Sequence, residues 1–199
     1  MEKKLDLRII KTYRALTESL KYLLTRKTLN EITVNEICER AMVRRTTFYK
    51  HFRDKYELLM FVVKEILEDT GQRAREKQLA SGEKGREFYY NTLYLFEYLE
   101  ENEVLFRSLK SSCSSAYVRD ALIDSITDDI IEYLKKNGLP DTVSDIRLEL
   151  TCQFLIGALF QSIDWWLNHR EKVTKYEMAE QLNTFATNAI SARPVDESF

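Results

Sequence analysis

The sequence predicts an all-α protein of about nine helices, and three observations support this fold class. Apolar residues recur along most of the 199-residue chain at gaps of three and four, the spacing of an amphipathic helix. Only five glycines and two prolines are present, fewer than the turns of a sheet-rich fold require. Helix start and stop signals, such as TVNE and NGLP, flank the apolar segments.

The N-terminal region is expected to contain four helices. Thr33 and Glu36 form the pattern of a capping box at the start of the second helix. Phe48 and Phe52, one turn apart, mark the inner side of the third helix. Asp54 is expected to cap the long fourth helix. The four helices are predicted over residues 5–26, 34–41, 44–52 and 54–77.

Five further helices are expected after the SGEKG loop at residues 81–85. The first of them is rich in aromatic residues, and the third is followed by an Asn, a Gly and a Pro in the order of a helix stop. These helices are predicted over residues 87–101, 104–109, 117–136, 145–170 and 174–190.

The composition is that of an ordinary globular protein, with 44% hydrophobic and 31% charged residues. No run of about 18 apolar residues is present to span a membrane, and the N-terminus lacks the apolar stretch of a secretory signal. The three cysteines are far apart and form no CxxC pair, which favours a reducing compartment. We therefore expect a cytoplasmic protein with no membrane partner.

Charge is divided unevenly along the chain. Residues 1–64 carry 15 Lys and Arg against 8 Asp and Glu, a net charge of +7, whereas residues 65–199 carry 15 against 24, a net charge of −9. A basic end on an acidic body is typical of a protein that binds a polyanion through one region. Charged runs are also common on ordinary solvated surfaces.

The second and third helices, joined by a turn at residues 42–43, form the pattern of a helix-turn-helix. On a helical wheel, the outer face of the third helix carries Arg45, Thr46, Tyr49 and Lys50. Arginine and lysine bind phosphates and guanine, and threonine and tyrosine hydroxyls donate to phosphate oxygens. These residue types at this spacing predict a helix that lies in the major groove of double-stranded DNA.

Residues 32–59 read ITVNEICERAMVRRTTFYKHFRDKYELL, and this segment resembles the helix-turn-helix of the tetracycline-repressor (TetR) family of bacterial transcriptional regulators. The resemblance is specific over about residues 8–60. It implies that Thr33 and Lys55 contact phosphates, and that Arg45 and Lys50 read bases. The full set of expected DNA-contacting residues is Thr33, Arg44, Arg45, Thr46, Thr47, Tyr49, Lys50, His51 and Lys55.

The same resemblance implies the organisation of the whole chain. Residues 1–53 are expected to form a DNA-binding domain, and residues 54–199 a helical domain for dimerisation and effector binding. The regulator is expected to be a homodimer, usually a repressor, that places two reading helices about 34–36 Å apart on a near-palindromic operator. Filling of an effector pocket would then shift the fourth helix and change DNA affinity.

Three residues depart from the pattern of the family. Met42 stands where a glycine is usual, so the turn must avoid a left-handed backbone there or accept some strain. Arg44 stands where a small capping residue is usual, which weakens the cap but adds a cation near the DNA. Thr46 replaces a residue that is often glycine, alanine or proline.

Purely structural roles for some of these residues stay open. Tyr49 and His51 are also suited to packing at a helix junction. Arg44 is also suited to a surface ion pair with Glu36 or Glu39.

The last two helices have the pattern of a dimer interface. Twelve of the eighteen residues from Leu150 to Leu167 are apolar and run around the whole helix, so the helix needs cover on more than one side. The final helix repeats apolar residues at gaps of four, three and four, a seam suited to helix pairing. Burial inside a monomer is the alternative. The expected interface residues are Phe154, Gly157, Ala158, Trp165, Met178, Leu182, Phe185 and Ala189.

The central helices are rich in aromatic residues that suit the wall of a small-molecule pocket, although such a stripe also suits plain core. The candidate lining residues are Tyr90, Tyr94, Phe106, Cys113, Tyr117, Cys152 and Phe160. Some regulators of the family respond to a partner protein instead of a small molecule.

Two other classes of protein compete with a DNA-binding regulator. An enzyme is disfavoured because the two histidines are far apart in sequence and no catalytic or nucleotide-binding motif is present. No catalytic residue, metal ligand or cofactor is therefore expected. A helical adaptor whose basic end binds an acidic protein is the other alternative.

Overall fold

The structure is a computed structural model that describes residues 7–83, 86–112 and 145–191, together with residues 120, 123–124, 126–128 and 131. No β-strand occurs among these residues, and the expected all-α fold class is confirmed. The helices that they form are α1 Leu7–Leu24, α2 Val34–Ala41, α3 Arg45–His51, α4 Lys55–Ser81, α5 Glu87–Glu101, α6 Glu103–Ser112, α7 Asp145–Leu167 and α8 Lys175–Ser191.

One predicted helix, over residues 117–136, lies mostly outside the described residues. The described positions within it, residues 120, 123–124, 126–128 and 131, are helical. Within the described part of the chain, no helix is long and apolar enough to cross a membrane.

Two helices continue further than the sequence indicated. α4 ends at Ser81 rather than near Lys77, because the next residue, Gly82, adopts a left-handed backbone with φ +69°. The Gly82 N–H donates to the Gln78 carbonyl at 3.1 Å and closes the last turn. α6 runs to Ser112 rather than stopping at Leu109, so the start of the serine-rich segment is helical.

The described residues fall into two compact units. The first is drawn from residues 1–68 and 101–120, and the second from residues 69–100 and 121–199. The core of the first unit is built from the inner faces of α1 to α4 and from the connection between α1 and α2. Its fully buried side chains include Leu16, Leu20, Leu24, Leu29, Ile32, Ile37, Phe48, Leu58, Leu59 and Val62. Burial of each such side chain contributes about 1.5–3 kcal/mol relative to exposure.

The second unit is organised around an aromatic pair. Phe96 of α5 and Trp166 of α7 are both almost fully buried, and their ring centroids lie 4.7 Å apart in an edge-to-face arrangement. The indole N–H of Trp166 donates to the Val173 carbonyl at 3.0 Å, which fixes the turn between α7 and α8. Lys175 of α8 then binds the carboxylate of Glu100 at 3.0 Å.

Candidate nucleic-acid interface

The turn between α2 and α3 adopts a left-handed backbone at Met42, with φ 54° and ψ 37°. The sequence left two possibilities for this residue, avoidance of a left-handed backbone or acceptance of strain, and the structure shows the second. A left-handed backbone costs roughly 1–2 kcal/mol for a residue other than glycine. The next residue closes the turn, because the Val43 N–H donates to the Cys38 carbonyl at 3.0 Å. The Met42 side chain is 94% exposed, so it makes little contact that offsets the strain.

The inner side of α3 is held by aromatic packing. Phe48 is fully buried and Phe52 nearly so, as the sequence predicts. Tyr13 of α1 packs edge-to-face against the His51 ring, with centroids 5.1 Å apart, and lies 5.2 Å from the Phe52 ring. The half-buried His51 thus has a packing role at the end of α3. Its expected contact with DNA stays a prediction.

The outer side of α3 is exposed and cationic. Arg44, Arg45, Thr46, Tyr49 and Lys50 are exposed, and Thr47 is half-buried. Arg44 is the N-cap residue of α3 but its side chain makes no capping hydrogen bond, as its size leads one to expect. The Arg45 guanidinium lies 5.8 Å from the centre of the Tyr49 ring, one turn away on the same helix.

The cations of this face have no carboxylate partner among the described residues. Neither Arg44, Arg45 nor Lys50 makes an ion pair there, whereas Lys27 pairs with Glu36 in the same unit. Lys21 and Arg53 of this unit likewise pair with Glu18 and Glu57, each at 3.4 Å. The suggested pairing of Arg44 with Glu36 is not present, because Glu36 is directed at Lys27 and Thr33. The outer side of α3 therefore carries three exposed cations that no ion pair among the described residues neutralises.

The N-terminus of α2 is closed by the predicted capping box. The Glu36 N–H donates to Thr33 Oγ1 at 3.3 Å, and the Thr33 N–H donates to the Glu36 carboxylate at 2.8 Å. The Lys27 ammonium beside this carboxylate, together with the donors of Thr33, lowers the pKa of Glu36 to about 2. Thr33 is exposed at this end of the helix, so its placement is compatible with a phosphate contact.

Lys55, the first residue of α4, has a use that the sequence did not indicate. Its Nζ donates to the carbonyl oxygens of Leu29, Asn30 and Ile32 at 2.7, 3.1 and 2.8 Å. Burial lowers the pKa of Lys55, and the neighbouring carboxylates of Asp54 and Glu36 act in the opposite direction. The expected phosphate contact of Lys55 stays a prediction, but its ammonium group already donates hydrogen bonds to three backbone carbonyls.

Two further exposed cations were missed by the sequence reasoning. The guanidinium carbon of Arg40 lies 3.2 Å from the centre of the Tyr22 ring, and that of Arg26 lies 4.6 Å from it. Neither arginine makes an ion pair within the described part of the chain. The sequence contains a signal for the contact of Arg26 with Tyr22, because the two residues are four positions apart. It contains none for the contact of Arg40, which joins two different helices.

An exposed apolar strip runs along α7. Ile146, Leu150 and Phe154 follow one another at gaps of four and are 80%, 69% and 64% exposed. Further along, Trp165 is 41% exposed, and Phe185 of α8 is 60% exposed. An open hollow of about 370 Å³ is lined by Ala158, Gln161, Ser162, Trp165 and Met178. We call these exposed residues and this hollow the apolar strip.

The other expected interface residues are divided by their burial. Gly157 and Ala158 are half-buried, and a Cβ atom built on Gly157 meets no atom within 4 Å. Met178 and Leu182 are each only 8% exposed and are covered by the chain itself. The side chain of Ala189 lies outside what the structure describes.

The residues expected to line a pocket do not form one described group. Tyr90 is buried and its hydroxyl donates to Glu83 at 2.9 Å, while Tyr94 is half-buried. Cys152 and Phe160 share an apolar cluster with Leu148, Ile156 and the isoleucines at 123, 126 and 131. Phe106 belongs to the first unit. Cys113 and Tyr117 lie outside the described residues.

Two protein-family models match the chain. The model described as bacterial regulatory proteins of the tetR family matches residues 21–60, which contain α2, α3 and the start of α4. A second TetR model, described as a transcriptional regulator C-terminal region, matches residues 86–188, just over half of the chain.

Solved structures of regulators share the fold. A TetR transcriptional regulator from Rhodococcus sp. RHA1 is 19% identical, with 94% of this chain and 100% of that chain covered and a TM-score of 0.63. One from Streptococcus agalactiae 2603V is 24% identical, with 90% and 95% covered and a TM-score of 0.53. The dihydroxyacetone kinase operon activator DhaS is 18% identical, with 91% and 97% covered and a TM-score of 0.53.

Proposed function

The chain belongs to the TetR family of bacterial transcriptional regulators, and we propose that it is a homodimer that binds a near-palindromic DNA operator in a sequence-specific manner. In this proposal the first 53 residues form the DNA-binding domain, and residues 54–199 serve dimerisation and effector binding. The bound DNA is double-stranded, and α3 lies in its major groove.

The observation that carries the proposal is the unpaired charge on the outer side of α3. Arg44, Arg45 and Lys50 are exposed without a carboxylate partner among the described residues, whereas some other lysines and arginines of the same unit are paired. Such cations bind a polyanion without first breaking an internal ion pair. The buried Phe48 holds the helix while Arg45 and Lys50 read base edges.

Backbone contacts complete the proposed interface. Thr47 and Tyr49 of α3 donate hydroxyl protons to phosphate oxygens. The Thr33 hydroxyl donates to the Glu36 carboxylate at 2.9 Å in the free protein, so its contact with a phosphate requires that this proton be turned away from Glu36. Thr46 is exposed beside Arg45 and contributes to base reading. His51, whose ring packs on Tyr13, contacts the DNA backbone at the end of the helix.

The apolar strip supports a second copy of the chain as the dimer partner. Ile146, Leu150 and Phe154 lie on one side of α7 and are left exposed by the chain itself. Exposed apolar surface of this extent is typical of a protein interface. The partner is proposed to cover Trp165 and Phe185 as well, so that α7 and α8 of two copies form a four-helix interface.

Control of DNA affinity is proposed to pass through α4. This helix is continuous from Lys55, beside the DNA-binding residues, to Ser81. An effector bound by the aromatic and thiol side chains of the central helices would bias its position, with Tyr90 and Cys152 as the described candidates. A coupling of about 1–3 kcal/mol changes DNA affinity about 5–150-fold.

The proposed effect on transcription is repression, which follows from a dimer that occupies its operator in the absence of effector. DhaS, which shares the fold at 18% identity, is an operon activator, so the same architecture also serves activation. A partner protein that binds the C-terminal domain is the alternative to a small-molecule effector.

Selection of bound sequences from a random duplex library tests the proposed function. The purified chain is incubated with the library at physiological salt, and retained duplexes are sequenced over successive rounds. Enrichment of an inverted repeat with half-sites about one helical turn apart is expected. Retention that is sensitive to salt but shows no enriched sequence would contradict sequence-specific binding.

A further inference from the structure

The ammonium group of Lys55 is fully used inside the first unit. Its Nζ lies 2.7 Å from the Leu29 carbonyl oxygen, 2.8 Å from that of Ile32 and 3.1 Å from that of Asn30. An ammonium group has three N–H donors, so these three carbonyls use all of them. In this arrangement no donor remains for a phosphate oxygen.

The three carbonyls belong to the connection between α1 and α2, residues 25–33. The connection is also held from within, because the side chains of Leu29 and Ile32 are fully buried. The carboxylate of Glu31 accepts from the N–H and the hydroxyl of Thr28, at 2.9 and 2.8 Å. Lys55 closes this set of contacts from α4.

The connection leads directly into the N-terminus of α2. Ile32, whose carbonyl accepts from Lys55, immediately precedes Thr33, the N-cap residue. Thr33 and Glu36 then start the helix through their capping box. A change in the position of Ile32 therefore moves Thr33 and the first turn of α2.

We propose that Lys55 is a positioning residue for DNA binding, which acts through the carbonyls of the α1–α2 connection and not through a phosphate. This inference rests on the proposed function, since it states how one residue of the proposed interface works. A phosphate at Nζ would displace at least one carbonyl. The contacts with Leu29 and Ile32 are partly buried, and loss of the donor at either is unfavourable. Lys55 therefore keeps Thr33 in place to meet the DNA.

Two substitutions separate positioning from phosphate binding. Lys55→Met removes the donors, and Lys55→Arg keeps the charge but replaces one tetrahedral donor group by a planar fork that does not fit three carbonyls around one point. Both variants are expected to weaken binding to the selected operator by about tenfold or more. The slope of log affinity against log salt concentration is expected to stay at the parental value, because no phosphate contact is lost.

A phosphate-binding lysine would behave differently. Lys55→Met would then reduce the salt slope by about 0.9 per subunit, and Lys55→Arg would keep the affinity because arginine binds phosphate well. Either result overturns the positioning role. Parental affinity in both variants overturns it too. Arg53→Ala, which alters an exposed neighbouring cation, is the control and is expected to bind like the parent.

A second readout does not need DNA. In the free protein, amide hydrogen exchange over residues 28–36 is expected to accelerate in both Lys55 variants and not in Arg53→Ala. Unchanged exchange in both variants overturns the proposal. If the parent binds no duplex, the proposed function fails, and exchange still decides whether Lys55 holds the connection. If Lys55→Met does not fold, Lys55→Arg supplies the same measurements.

Discussion

Phe48 and Tyr49 are adjacent in the chain, about 100° apart around α3, and lie in different environments: Phe48 is fully buried, whereas Tyr49 is 49% exposed. Their ring centroids lie 5.4 Å apart, with an angle of 85° between the planes. One ring fixes the helix to the core, and its neighbour presents a phenol to the surroundings. The unpaired cations Arg45 and Lys50 share the exposed side with Tyr49.

Removal of an unpaired cation should weaken DNA binding more than removal of a cation that is already in an ion pair. Arg45→Ala is expected to weaken binding to the selected operator by about 1–3 kcal/mol, the usual value of an arginine contact to guanine. Arg53→Ala is expected to change affinity by less than about 0.5 kcal/mol, because an exposed ion pair contributes little. Anisotropy titrations of a labelled duplex compare the two. Equal losses would contradict the assigned reading face.

Arg44→Ser should move stability and DNA affinity in opposite directions. Serine supplies the capping hydrogen bond that Arg44 lacks at the start of α3, so unfolding in urea should require about 0.5–1 kcal/mol more free energy. The lost cation should reduce the salt slope of DNA binding by about 0.9 per subunit if it meets a phosphate. A more stable variant with parental DNA binding would show that Arg44 makes no DNA contact.

Met42→Gly should stabilise the first unit. The left-handed backbone at Met42 costs roughly 1–2 kcal/mol, and glycine removes this cost. Glycine also increases the conformational entropy of the unfolded chain, which destabilises the fold by about 0.4–1 kcal/mol. The expected net gain is about 0.5–1 kcal/mol. Met42→Ala is the control, since alanine keeps the strain and removes the same exposed side chain. Urea denaturation distinguishes them, and equal stability of the two variants would argue against strain at this turn.

Phe185→Glu is expected to dissociate the dimer. Its side chain is 60% exposed on α8, and a charge there would be buried at the proposed interface. Tyr176→Glu is the matched control, because Tyr176 is 55% exposed on the same helix but nine residues away, half a rotation from Phe185. Sedimentation velocity should report a monomer for the first variant and a dimer for the second. A dimer in both would place the interface elsewhere.

Low pH should reduce the stability of the first unit because it protonates Glu36. The pKa of Glu36 is lowered to about 2 from an ordinary value of 4.5, so its ion pair with Lys27 stabilises the fold above pH 4.5, and this contribution is lost as the pH falls towards 2. At pH 6 the parent should unfold at a higher urea concentration than Glu36→Gln. The difference between their unfolding midpoints should become smaller between pH 4.5 and pH 2. A difference that does not depend on pH would exclude this ion pair as its source.

The features that sequence reasoning found are local ones. Thr33 and Glu36 are three residues apart, and Asp54 caps α4 by accepting from the N–H groups of Tyr56 and Glu57 at 2.8 and 2.9 Å. Contacts at such spacing depend on residue type and helical geometry alone. The outward direction of the cations on α3 follows in the same way from the buried position of Phe48.

The features that sequence reasoning missed join distant parts of the chain. Lys55 binds carbonyls 23 to 26 residues earlier, and any residue type supplies a carbonyl, so no side-chain pattern marks its partners. The contact of Tyr13 with His51 spans 38 residues and depends on how α1 packs on α3. Arg40 reaches Tyr22 from another helix for the same reason.

The most direct measurement is a parallel selection from one random duplex library with the parent and with Lys50→Ala. The parent should enrich an inverted repeat, and the variant should enrich the same repeat with a changed preference at one position of each half-site. That result would establish that the exposed side of α3 reads sequence. An identical enriched site for both proteins would contradict base reading by Lys50, and the absence of any enriched site for the parent would contradict the proposed function itself.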